Sequence, residues 1–184
     1  RSQWWPVDKV ILAYFGTALV LLLLRWSAIP YAGVFALFHV AGAVTIALAA
    51  RHPESRIGHT FHCWYPLLYV ATCYREMSFL IPAYRETNAD ALLARLDYAI
   101  WGAHPTVWLE RVASPALTEI LQIVYAGFVP AVLAAAVIFW LRKDYAQFRF
   151  YAFLIALGFL ASYVGYILVP ARGPRFVLAH LQHT

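Results

Sequence analysis

From Phe150 to Ala171 the chain carries no charged side chain, and the same holds from Ile120 to Leu141. Each run matches the roughly 20 apolar residues that cross a hydrocarbon core of about 30 Å as a helix. A backbone in that medium must satisfy its own polar groups, so runs of this kind dictate helices before any finer pattern is read. Composition agrees. Hydrophobic residues make up 63% of the 184 residues and charged residues 12%, more apolar surface than a soluble domain of this size can hide. The expected fold is an all-α polytopic membrane bundle in a single domain over 1–184. It has about five transmembrane helices, at about 7–26, 28–50, 60–82, 116–141 and 149–170.

Between the third and fourth spans the text changes character. Residues 86–113 mix charge with apolar residues at helical spacing: Leu92, Leu93, Leu96 and Ile100, then Trp108, Leu109 and Val112. Gly102, His104 and Pro105 divide the stretch, which predicts two short amphipathic helices lying in the membrane interface. Ser114 and Pro115 form a good N-cap and first-turn pair for the next span.

The formal charge of +5 is not a nucleic-acid signature, because the basic residues fall between apolar runs and form no basic face. It reports orientation and contact with anionic lipid. With the N-terminus inside, the inner loops collect Arg1, Lys9, Arg51, Arg56, Arg142, Lys143 and Arg149, which favours that topology. The expected location is a bacterial inner membrane. The numbering opens on Arg1 without a signal-peptide pattern, so a piece of a longer chain is expected.

Few residues are candidates for chemistry. Arg172 and Arg175 emerge from the last span in a turn with Pro170, Gly173 and Pro174. Two guanidinium groups offer forked donors that match phosphate oxygens; interfacial anchoring by arginine is the plainer alternative. Arg75 and Glu76 sit inside the third span, where charge is costly and marks either a functional site or an interhelical ion pair. With His180 they are candidates to line a pocket near the Arg172 turn. His183 belongs to the same tail. His39 reads as a packed polar residue. His52, His59 and His62 lie towards the inner side, and without a neighbouring carboxylate they give only a weak metal signal. Cys63 and Cys73 would stand about 15 Å apart on a helix, too far for a disulfide. Gly158 with Ser162, and Ala161 with Gly165, favour close packing of the last span. No metal centre and no cofactor are expected.

The text "YILVPARGPRF", with "YREMSFLIPAY" and "LDYAIWGAHPTVWLERVASPALTEILQIVYAGFVP" upstream, resembles the type 2 phosphatidic acid phosphatase superfamily. The similarity is to its inositol phosphorylceramide synthase-like branch, over roughly residues 65 to 180. It implies a metal-free phosphoryl transfer through a phosphohistidine, with arginines holding the phosphate. Carried over by position, Arg172 and Arg175 are the phosphate ligands it implies. The match is partial: Leu168 stands where the motif has lysine, and the order is Pro-Arg rather than Arg-Pro. The Pro-Ser-Gly-His and Ser-Arg…His…Asp motifs have no counterpart within these residues, so no catalytic residue is assigned and the segment alone is expected to be inactive.

Two functions therefore stand as expectations. One is a lipid phosphatase or phosphotransferase acting on a lipid phosphate at the outer membrane face. The other is a non-catalytic structural or lipid-binding subunit of a larger membrane complex. The expected partners are membrane lipids, not nucleic acid.

Overall fold

The apolar runs fold as helices wherever the structure describes them. A computed structural model describes residues 3–52, 55–173, 176 and 178. Its helices are α1 (Pro6–Leu24), α2 (Ala32–Arg51), α3 (Arg56–Tyr84), α4 (Asp90–Trp101), α5 (Pro105–Glu110), α6 (Pro115–Leu141) and α7 (Tyr145–Leu168). No strand occurs among the described residues. The protein is an all-α membrane helix bundle, and α1, α2, α6 and α7 are each long and apolar enough to cross a membrane.

The third expected span is the informative exception. At 29 residues α3 is the longest helix, yet it is not among the four that qualify by apolarity. Its polar side chains explain why. His62, Tyr65, Cys73 and Glu76 are buried, turned into a bundle of α1, α2 and α7. A helix face turned into the bundle needs no apolar surface for lipid. The cost of its buried polar groups falls on whatever partners they find.

The chain separates into two compact units: Arg1–Glu86 with Ala136–Leu168, and Thr87–Ala135 with Val169–Thr184. The boundary cuts α6, whose residues 115–131 are all exposed, whereas Ala136 is fully buried. The last turns of this helix, from Ala136 on, belong to the first unit.

In that first unit α3 packs chiefly on α7, and α1 packs on α2 and α7. The core is aromatic. Phe15 lies against Phe38, His39 and Tyr69, while Trp64 lies against Trp140 and Phe148. Hydroxyls tie the helices at three levels. The Thr45 and Tyr69 hydroxyls are 2.7 Å apart, Tyr163 donates to the carbonyl of Val70 at 2.9 Å, and Tyr84 donates to that of Leu21 at 2.6 Å. A short turn joins α6 to α7, with Lys143 in the left-handed region at φ 58°. There Asp144 Oδ1 accepts from the amide of Gln147 at 3.2 Å and caps α7.

The second unit holds α4 and α5, joined through Gly102 at φ 66°, and the exposed part of α6. Ser114 Oγ accepts from the amide of Leu117 at 3.3 Å, so Ser114 and Pro115 begin α6.

Gly42 tests the packing of α2 against its neighbours. A Cβ there would stand 2.6 Å from Phe15 and 3.4 Å from Tyr69, and Phe15 is itself buried among rings with no room to swing. Gly42→Ala should destabilise the protein by about 1–3 kcal/mol. Gly16→Ala, where nothing lies within 4 Å, should not. Thermal unfolding in one detergent, read side by side, checks the pair.

Candidate functional site

Three groups of polar side chains organise the protein, and only one of them turns a charged side chain outward. The first lies where α1 and α3 begin. Asp8 is fully buried. Its carboxylate accepts from the backbone amide of Trp5 at 2.7 Å, from His62 Nε2 at 2.9 and 3.0 Å, and from the Tyr65 hydroxyl. The His62 ring stacks on the Trp5 indole with centroids 3.7 Å apart. Asp8 thus caps its own helix and fastens it to the next but one.

The second group lies deeper in the same unit. His39 Nε2 donates to Glu76 Oε1 at 2.8 Å, with both residues about 1% exposed. This is a contact between α2 and α3, and it supplies the partner that Glu76 requires. His39 Nδ1 and Glu76 Oε2 make no hydrogen bond among the described residues. Arg75, one residue earlier, is exposed. The two therefore face different sides of α3.

The third group belongs to the second unit and contains the Arg172 turn. Asp90, the first residue of α4, is 4% exposed. Its Oδ1 accepts from the backbone amides of Arg172 at 2.9 Å and Gly173 at 3.1 Å, and its Oδ2 lies 3.2 Å from the Arg172 amide. The amide of Ala89 donates to the carbonyl of Pro170 at 2.7 Å. Gly173 has φ 117°, a conformation that strains any other residue. The turn is therefore held through its backbone, by a carboxylate at a helix N-terminus that already favours negative charge.

This mode of fixation bears directly on the chemistry. An aspartate beside an arginine ordinarily neutralises the guanidinium. Here the carboxylate is spent on two amides, and the Arg172 side chain is exposed. Its fork of donors has no carboxylate partner among the described residues, so the turn can present it to an anion. Arg175 and His180, with His183, lie outside the described residues.

The remaining candidates serve structure. His59 packs edge-on to Tyr145 at 5.2 Å and beside Trp140 at 6.4 Å. Cys63 and Cys73 are free and buried. No three or more His, Cys, Asp or Glu side chains gather around a possible metal position among the described residues. Asp8 and the pinning role of Asp90 were not singled out from sequence. Asp8 could have been found as an isolated acid in the first turn of a span, since such a group must find internal donors.

If Asp90 fixes the turn, removing its carboxylate should release it. Asp90→Ala should raise the rate of tryptic cleavage after Arg172 by about tenfold or more, the loss expected for hydrogen bonds to a charged group. Asp97→Ala, on the same helix, should leave cleavage unchanged. Mass-spectrometric timing of the fragment checks both. Compared with family models, curated proteins and solved structures, the chain matches none.

Proposed function

We propose that this chain binds the phosphate of a membrane lipid at the turn following α7, with Arg172 as a phosphate ligand and Arg175 as its second. The observation that carries the reading is the use of Asp90. A buried carboxylate commits itself to backbone amides, and an exposed guanidinium remains beside it on a rigid support. An arginine that merely anchors a helix in the interface needs no such support. A fork-shaped donor on a fixed turn suits a pair of phosphate oxygens.

The resemblance to the type 2 phosphatidic acid phosphatase superfamily adds the substrate class: a lipid phosphate, handled without metal. Phosphoryl transfer depends mostly on positioning and charge stabilisation, and the arginine turn would supply part of each. The histidines that would attack phosphorus and shuttle the proton have no counterpart within these residues. The function proposed for this chain is accordingly phosphate binding, in a lipid phosphatase or phosphotransferase whose catalytic groups come from elsewhere.

The distribution of basic residues supports an orientation with the N-terminus inside and the Arg172 turn at the outer face of a bacterial inner membrane. Lys9, Arg51, Arg56, Arg142 and Lys143 are exposed on the segments that would face inward.

A second reading, a non-catalytic lipid-binding subunit of a larger membrane assembly, draws on one observation. From 123 to 131 α6 is apolar and exposed, a surface on which another membrane helix can pack.

Binding of phosphatidic acid to the full chain in phosphatidylcholine nanodiscs tests the proposal. Arg172→Gln should weaken binding about tenfold, the equivalent of one charge-assisted contact. Unchanged affinity would remove Arg172 from the site. Phosphate release by the chain alone would overturn the non-catalytic assignment.

A further inference from the structure

The first unit carries a different anion-binding arrangement, at the end where α1, α3 and α7 all begin. A cleft of about 320 Å³ there is lined by Gln3, Trp5, Arg149, Phe150 and Phe153, among others. Its chain entry is fixed: the amide of Gln3 donates to the carbonyl of Ala50 at 2.7 Å, and that of Trp5 to Asp8. The segment before α1, one wall of the cleft, is thus held by backbone hydrogen bonds.

Two groups in it lack partners. Trp5 is 8% exposed, and its indole Nε1–H is buried without an acceptor among the described residues. A buried donor left in that state calls for an acceptor. The Arg149 guanidinium lies 4.9 Å from the centre of the same indole. The indole face takes part of its charge but none of its N–H groups in line. The buried acids of this unit do not serve it either, since Asp8 is held by His62 and Glu76 by His39. Both side chains line this cleft, and neither is given an acceptor among the described residues.

The rest of the lining is aromatic. Phe150 is 58% exposed, and Phe153 is partly exposed one turn further along α7. A free anion gains nothing from those rings, whereas an anion carrying a hydrocarbon chain does. Lys9, Arg51, Arg56, Arg142 and Lys143 are exposed at this end and raise the local concentration of negative headgroups. They also oppose a headgroup that carries its own ammonium.

We infer that this cleft binds one anionic phospholipid through its headgroup phosphate. A phosphate oxygen accepts from Trp5 Nε1–H and from the Arg149 fork, and an acyl chain runs along Phe150 and Phe153 into the bilayer. The site shares no residue with the Arg172 turn and stands independently of the function proposed for it.

The test uses the full chain carrying Arg172→Gln, so that the turn after α7 does not contribute. It is reconstituted in phosphatidylcholine nanodiscs with graded phosphatidylglycerol, and retained lipid is counted by native mass spectrometry. One phosphatidylglycerol should be held in preference to phosphatidylcholine. Arg149→Gln and Trp5→Phe should each weaken that retention about tenfold, and Arg142→Gln, at the same end but outside the cleft, should not. Trp5→Phe keeps a ring beside His62 and removes the N–H, so it decides the matter if Arg149→Gln fails to fold. Equal retention in Trp5→Phe and the parent chain would overturn the inference. So would displacement of the lipid by millimolar inorganic phosphate, which would assign the cleft to a free anion.

Discussion

A carboxylate held out of water inside a membrane bundle persists only if its lone pairs are taken by donors, and Asp8 meets that condition with three groups, from Trp5, His62 and Tyr65. Its partners set the geometry of the first unit. The Trp5 amide fixes where α1 begins, while His62 and Tyr65 fix α3 beside it. The stacking of His62 on Trp5 then positions the indole over which Arg149 of α7 lies. Three helices are registered at one end by one acid. At a deeper level the His39–Glu76 contact does the same for α2 and α3. Lipid gives helices little reason to associate, so such polar contacts and the aromatic packing around them carry the specificity of the bundle.

The class of fold was legible because it rests on apolar length alone. The charge-free runs became α6 and α7, and Gly102 and the Ser114–Pro115 pair mark helix ends in the structure. α3 shows the limit of that reasoning. Hydropathy measures what a helix would cost if lipid surrounded it, but α3 turns His62 and Glu76 into the bundle, so those polar residues do not count against it. Which residue satisfies which is a property of the tertiary arrangement. Sequence could say that Glu76 needs a partner; only the packing of α2 on α3 identifies His39.

The Arg172 turn was legible in part for the same reason. Its proline and glycine punctuation announced a fixed conformation, and Gly173 does adopt a φ reserved for glycine. The agent that fixes it, Asp90, lies 82 positions away in sequence, with no local pattern to announce the contact. Its actual use separates two tasks that an Asp–Arg pair usually merges. The carboxylate restrains the backbone, and the guanidinium is left for something else. Arg149 follows a related logic at the opposite pole of the chemistry, with its charge spread over an indole and its donors still available. In both places buried acids are consumed internally, and arginines are what the protein offers to its surroundings.

The most direct measurement is photo-crosslinking of the full chain in a bilayer with a phosphatidic acid whose diazirine lies next to the headgroup, followed by mapping of the labelled peptides. In the chain carrying Arg149→Gln, which weakens the separate lipid site at the Trp5 cleft, the account predicts label concentrated on residues 169–173 and lost when excess unlabelled phosphatidic acid is added. Label spread evenly along the exposed surface of α6, with none competed from the turn, would contradict it.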